Sequence, residues 1–238
     1  MEPTILYEDK EVLAINKPAE LVVHSDGKTT EKTLVDWVMQ KYPEIEGVGE
    51  PGKTASGETV PRPGIVHRLD RETSGVMLIA KTPKSFENLK NQFKNHEIQK
   101  KYHAFVFGDL KKEGTIDRPI GRSSKDFRAW SAQRGARGEM REAVTEYKVL
   151  NHKKDYSLVE VSPKTGRTHQ IRVHFKAINY PLVGDKLYAP NRDNTLGFLR
   201  TALHSQEITW TDLKGKSHTV SSPYPADFAS AVALLQRD

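Results

Sequence analysis

Two segments of the chain carry groups whose types and spacing can do chemistry. In His67-Arg-Leu-Asp70-Arg-Glu-Thr-Ser-Gly75, a histidine, two arginines and two carboxylates precede the unbroken apolar run Gly75-Val-Met-Leu-Ile-Ala80. Such a run reads as a strand buried on both faces, and a buried strand has no need of the charges before it. A carboxylate fixed at a sheet end, Asp70, can serve as nucleophile or general base. The alternative is a loop in which Asp70 and Thr73 make only local backbone hydrogen bonds.

In the second segment, Gly166-Arg-Thr-His-Gln-Ile-Arg172-Val-His174, helical spacing puts Thr168, Ile171, Arg172 and Phe175 on one face. An arginine among apolar neighbours calls for a carboxylate, because an unpaired buried charge is costly. Asp70 is the nominated partner.

Histidines invite a metal reading, with His67, His103, His169 and His174 as candidate ligands. His169 and His174 are five apart, on different helical faces rather than in the i, i+4 pattern of zinc proteases. The chain has no cysteine, so thiolate nucleophiles, disulfides and cysteine-held metals are excluded. No phosphate-cradling Gly-x-x-x-x-Gly-Lys loop occurs either. The expectation is chemistry with no metal, cofactor or nucleotide cofactor.

Other elements must position these groups. Ile5–Tyr7 and Val12–Asn16 flank the polar turn Glu8-Asp9-Lys10 as a hairpin, and Leu34, Trp37, Val38 and Tyr42 recur at helical spacing. The stretch 44–64, rich in Gly, Pro and Thr, reads as a surface loop. Thr82-Pro83 is an N-cap followed by proline at the first helical position, opening a helix to about Asn95. Gln99–Phe107, Ala143–Leu150 and Tyr156–Val161 alternate as strands. The pattern predicts an α+β fold: one domain over 1–238, with a mixed, mostly antiparallel β-sheet and flanking helices.

Gly121–Glu142 has little apolar period. It carries Arg122, Lys125, Arg128, Arg134, Arg137 and Arg141 with Phe127 and Trp130 interleaved. Most charge-rich stretches are solvated loops, but this composition also suits RNA, with cations for phosphates and aromatics for unstacked bases. Over the 238 residues, 37 Lys and Arg against 31 Asp and Glu give a net charge of +6, compatible with an anionic partner. The start lacks a signal-peptide pattern and no run is long enough to span a membrane, so a cytoplasmic, membrane-free monomer is expected.

Four ordered segments resemble the motifs of the RluA-type family of pseudouridine synthases. They are Ala14-Ile-Asn-Lys-Pro-Ala19 with Leu21-Val-Val-His24; His67–Gly75 with Ala80-Lys-Thr82; Lys100-Lys-Tyr102-His-Ala104; and Gly166–His174 with Pro181-Leu-Val-Gly-Asp185. The resemblance implies the pseudouridine synthase fold, with a central RNA-binding cleft and structured RNA, ribosomal or transfer, as substrate. It makes Asp70 the catalytic aspartate, Tyr102 the residue stacking on the target base, Arg172 the basic partner of the aspartate and Ile171 the apolar contact beside the ring. Arg68 resembles the arginine that fills the space of a flipped nucleotide, and Lys17, His67 and Arg167 fall among the substrate-binding segments. Glu20 departs from the glycine common after Lys-Pro-Ala. The catalytic segment starts almost at once, so no separate N-terminal RNA-binding domain is expected.

The implied reaction detaches uracil from ring nitrogen 1, rotates it and rejoins it through carbon 5, which needs no net oxidation or hydrolysis. Flipping the target uridine out costs a few kcal/mol of unstacking. Asp70 could then attack the sugar, attack the ring or act as a base on the sugar. A non-catalytic RNA-binding module or chaperone with the same fold is the alternative, and a metal hydrolase a more distant one. A pure binder gains nothing from an acid facing phosphates.

Overall fold

The computed structural model describes residues 2–25, 30–54, 57–133 and 136–236. The chain divides into two compact units, one of residues 1–99 with 205–223 and one of residues 100–204 with 224–238.

The first unit opens with the expected hairpin. Strands β1 (Thr4–Glu8) and β2 (Val12–Lys17) pair antiparallel, and Asp9 closes their turn by accepting from the backbone N–H groups of Glu11 and Val12 at 2.8 and 2.7 Å. Helix α1 (Leu34–Lys41) follows, its N-terminus satisfied by a capping box between Thr33 and Asp36, worth about 0.5–2 kcal/mol. The loop expected over 44–64 contains a 3-10 turn, Pro43–Ile45, and two minimal paired strands, β3 (Gly52–Lys53) and β4 (Thr59–Val60). Strand β5 (Ser74–Ala80) is buried along its whole length and pairs with β2, as its apolar run requires. Gly75 starts it for a steric reason: at φ +114° a Cβ would come within 2.2 Å of the Ser205 carbonyl oxygen. Helix α2 (Pro83–Lys94) begins at the Thr82 N-cap and buries Phe86 and Leu89, each contributing about 1.5–3 kcal/mol.

The second unit takes up strand β6 (Gln99–Phe107). The short strands β7 (Gly114–Asp117), β8 (Ile120–Arg122), β9 (Trp130–Ser131) and β10 (Arg137–Arg141) precede the long strands β11 (Val144–His152) and β12 (Tyr156–Pro163). The order β6-β12-β11-β7 is antiparallel throughout. Helix α3 (Gln170–Ala177) lies over this sheet, with Ile171 and Phe175 in one core with Ala104, Val106, Val159 and Val161. Thr168, expected on that helical face, precedes the helix, because His169 takes a left-handed turn (φ 56°) that starts it.

The stretch expected to be an unstructured loop, Gly121–Glu142, forms a three-stranded sheet in the order β10-β8-β9. Its few apolar residues suffice because it shares a small core with α3: Ile120, Ala129, Ala143, Val173 and Tyr188. Arg134 lies outside the described residues. Strand β13 (Leu203–Thr211) and strand β14 (Ser217–Ser221) return the chain to the first unit, where the strand order is β1-β2-β5-β13 with β14 on β13. Helix α4 (Ala226–Gln236) completes the second unit, packing Phe228 against Phe105 and Phe198. The fold is α+β with a mixed, mostly antiparallel sheet and four helices. No described helix is long and apolar enough to cross a membrane.

Candidate active site

In the first unit, the loop carrying Asp70 is braced from three sides. Lys17 is fully buried at the end of β2, and its Nζ donates to the carbonyls of Pro18 (2.8 Å), Leu21 (2.9 Å) and Arg71 (3.2 Å). It therefore ties the Lys17–Leu21 turn to the residue after Asp70. Such a placement suits shaping the loop more than touching a phosphate.

Arg71 is also held from outside by Glu20 at 3.3 Å and Glu31 at 2.8 Å, all three exposed. These carboxylates raise the pKa of its guanidinium. Glu20 sits at φ 65°, a conformation that favours glycine, which accounts for the glycine expected there. The Arg71 pair partly offsets that strain.

His67 is a structural group at one end of the same loop. Its Nε2 accepts from the Leu78 backbone N–H at 2.9 Å and its ring stacks on Phe93 at 4.5 Å. Arg68 is exposed, with Nη1 3.2 Å from His24 Nε2. His24 Nδ1 lies 3.0 Å from the Ser25 carbonyl and must donate to it, leaving Nε2 as the acceptor for Arg68. The backbone closes the loop where Thr73 N–H donates to the Asp70 carbonyl at 3.1 Å, and Asp70 itself is half-buried.

In the second unit, Tyr102 is half-buried on β6 and packs against the core that holds Ile171. The carboxylate found on Arg172 is Asp185: Nε donates to Oδ2 at 2.7 Å and Nη2 to Oδ1 at 2.9 Å, a bidentate buried pair. Asp185 also accepts from the backbone N–H groups of Leu187 and Tyr188, both at 3.0 Å. The guanidinium lies over the Tyr188 ring at 5.0 Å. Asp185 is a second carboxylate for Arg172 beside the nominated Asp70, and its place in the Pro181–Asp185 motif does not by itself show the pairing. Gly184 was a usable signal: at φ +71° a Cβ would approach the Arg200 carbonyl oxygen to 2.1 Å, so only glycine delivers the aspartate here.

Tyr188 joins this pair to the basic sheet. The Trp130 backbone N–H donates to its hydroxyl at 3.0 Å, and the hydroxyl shares a 2.9 Å hydrogen bond with His169 Nδ1. Arg167 is exposed, with Nε donating to the Glu142 carbonyl at 3.1 Å. His174 is fully buried; its Nε2 must donate to the Arg118 carbonyl (2.9 Å), so Nδ1 accepts from Thr145 Oγ1 (2.9 Å). Burial lowers its pKa and favours the neutral ring. Among the described residues no group of three or more His, Cys, Asp or Glu side chains is arranged to hold a metal ion.

On the basic sheet, Arg122 lies over the Trp130 ring at 4.1 Å, and Phe127 is 87% exposed. Arg122 and Arg137 stand directly opposite on β8 and β10, a like-charge pairing that destabilises an isolated sheet. Arg128 is paired with Asp126, whose carboxyl it pulls down to about 2.

The solved structure of human RNA pseudouridylate synthase domain containing 4 has the same fold, with a TM-score of 0.74 at 24% identity over 98% of this chain and 92% of that one. RNA pseudouridine synthase YlyB of Bacillus subtilis, called uncharacterized, is 38% identical over 100% of this chain and 74% of its own length. Ribosomal large subunit pseudouridine synthase D of Zymomonas mobilis is 35% identical over 97% of this chain and 72% of its own. The family model described as RNA pseudouridylate synthase matches residues 11–177, a span that takes in Lys17, Asp70, Tyr102 and Arg172. With that match across both units and these relatives along nearly the whole chain, the protein belongs to the RluA-type RNA pseudouridine synthases, isomerases that bind and modify RNA.

Proposed function

We propose that the substrate is large-subunit ribosomal RNA and that Asp70 is the nucleophile that frees and rejoins the uracil. The observation that carries the assignment of Asp70 is the bracing of its loop. Lys17, Glu20 and Glu31 all converge on Arg71, the next residue, far more organisation than an ordinary turn aspartate requires. The ribosomal substrate rests on relatives named ribosomal large subunit pseudouridine synthase D at 33–36% identity.

In this reading both units work as one catalytic domain. Tyr102 holds one face of the flipped uracil and Ile171 supplies apolar contact at its edge. Arg172, oriented by Asp185, is the basic partner that aims Asp70. Arg68 supports the strand left behind by the flipped nucleotide, offsetting an unstacking cost of a few kcal/mol. Lys17 and His67 shape the Asp70 loop from behind, while Arg167 and the basic sheet face the RNA backbone. The opposed Arg122 and Arg137 gain from a phosphate what they lose to each other.

The test is a pseudouridine map of total RNA from cells with and without the protein. A site in large-subunit ribosomal RNA should disappear on deletion and return with the wild-type gene but not with Asp70→Ala. Loss confined to transfer RNA would overturn the substrate assignment.

A further inference from the structure

Lys100 stands on β6 two residues before Tyr102, on the face of that strand that carries Tyr102, Ala104 and Val106 and packs on the core with Ile171. Strand geometry puts its Cα about 7 Å from that of Tyr102. It is half-buried, and its Nζ makes one hydrogen bond, a long one of 3.4 Å to the Thr165 carbonyl. Buried ammonium groups normally have a carboxylate; this one has none among the described residues.

The charged groups on the flanking elements are already engaged. Lys164 takes Glu146 at 2.8 Å, Arg172 takes Asp185, and Arg167 donates to the Glu142 carbonyl. Glu160 lies across from His103, which alternation places on the other face of β6. Burial alone lowers the Lys100 pKa, to about 8, with no opposite charge holding it up. Gly166 places no side chain against the amine: a Cβ there would sit 4.0 Å from Nζ.

We propose that Lys100 binds a phosphate of the substrate RNA, beside the base held by Tyr102. The inference rests on the assignment of Tyr102 as the base-holding residue. A compact ammonium with donors to spare is a point-charge phosphate ligand, and each nucleotide of the RNA brings one phosphate. The phosphate supplies the countercharge that the protein withholds, so the bound lysine stays protonated where the free one begins to titrate.

The experiment measures affinity for unmodified, in vitro transcribed large-subunit ribosomal RNA across a salt series at pH 7 and pH 9, for wild type, Lys100→Arg and Lys100→Gln. At pH 7 the salt slope of Lys100→Gln should be shallower than wild type by about 0.7–0.9, one phosphate's worth, while Lys100→Arg keeps the wild-type slope. At pH 9 the affinity of wild type should fall towards that of Lys100→Gln, and that of Lys100→Arg should not. A wild-type slope in Lys100→Gln, or equal loss at pH 9 in wild type and Lys100→Arg, would overturn the proposal. If Lys100→Gln does not fold, the pH comparison of the other two proteins decides alone. Tyr102→Leu is measured in parallel for turnover: full activity there, with the Lys100 slope change present, supports the phosphate contact and removes only Tyr102 from the site.

Discussion

The Asp70 loop and the Arg172 helix are both organised around an arginine, but by opposite means. Arg71 is exposed and its two carboxylates are exposed, so each ion pair contributes little, about 0.2–1 kcal/mol. The order of that loop comes mainly from the buried Lys17 and its three backbone carbonyls. Arg172 and Asp185 are both buried, bidentate and backed by two backbone donors. Removing Arg172 strands the buried Asp185 charge, and removing Asp185 takes the bidentate partner from Arg172. The first region tolerates sequence drift at its surface, as Glu20 illustrates; the second does not.

Asp185→Ala should therefore be the most damaging change, destabilising the protein by about 3–5 kcal/mol in urea unfolding. A loss under 1 kcal/mol would mean that Arg172 is satisfied without it. Lys17→Met should cost about 2 kcal/mol, because orphaned carbonyls each lose a donor but a buried charge is also removed. Turnover per folded molecule should fall as well, since the Arg71 carbonyl is then released beside Asp70. Unchanged turnover would separate Lys17 from the geometry of the loop.

Glu20→Gly is the mildest. It relieves the left-handed backbone, loses one exposed ion pair and adds unfolded-state entropy, so stability should stay within about 1 kcal/mol of wild type with activity intact. A larger loss would show that the surface pairs, rather than Lys17, hold the loop.

Sequence patterns revealed the elements governed by local rules. The Glu8–Lys10 turn, the Thr82-Pro83 helix start and the apolar run of β5 each carry their own signal within a few residues. Gly121–Glu142 did not, because its strands are two to five residues long, rich in arginine, and supported by α3 and Tyr188 far away in sequence. The pairing of Asp185 with Arg172 is illegible in sequence for a related reason. Thirteen residues and a glycine-dependent turn separate Arg172 from Asp185, and no periodicity spans such a turn. Glu20 stood out as a departure from glycine, but the cause, a left-handed backbone, needed φ. Lys100 lies inside the Lys100–Ala104 motif, but burial without a countercharge is invisible in the order of residues.

Release of the carbon-5 hydrogen from uridine in substrate RNA tests the role of Asp70 most directly, since rejoining the base through carbon 5 requires that hydrogen to leave. Asp70→Ala and Asp70→Asn, measured per folded molecule, should release none above background while keeping RNA affinity within a modest factor of wild type. The Thr73 N–H bond to the Asp70 carbonyl survives both substitutions, so the turn itself should persist. If Asp70 served only its loop, its loss would lower stability by about 0.5–2 kcal/mol and leave turnover almost unchanged. Substantial hydrogen release by either variant would contradict the assignment of Asp70 as nucleophile.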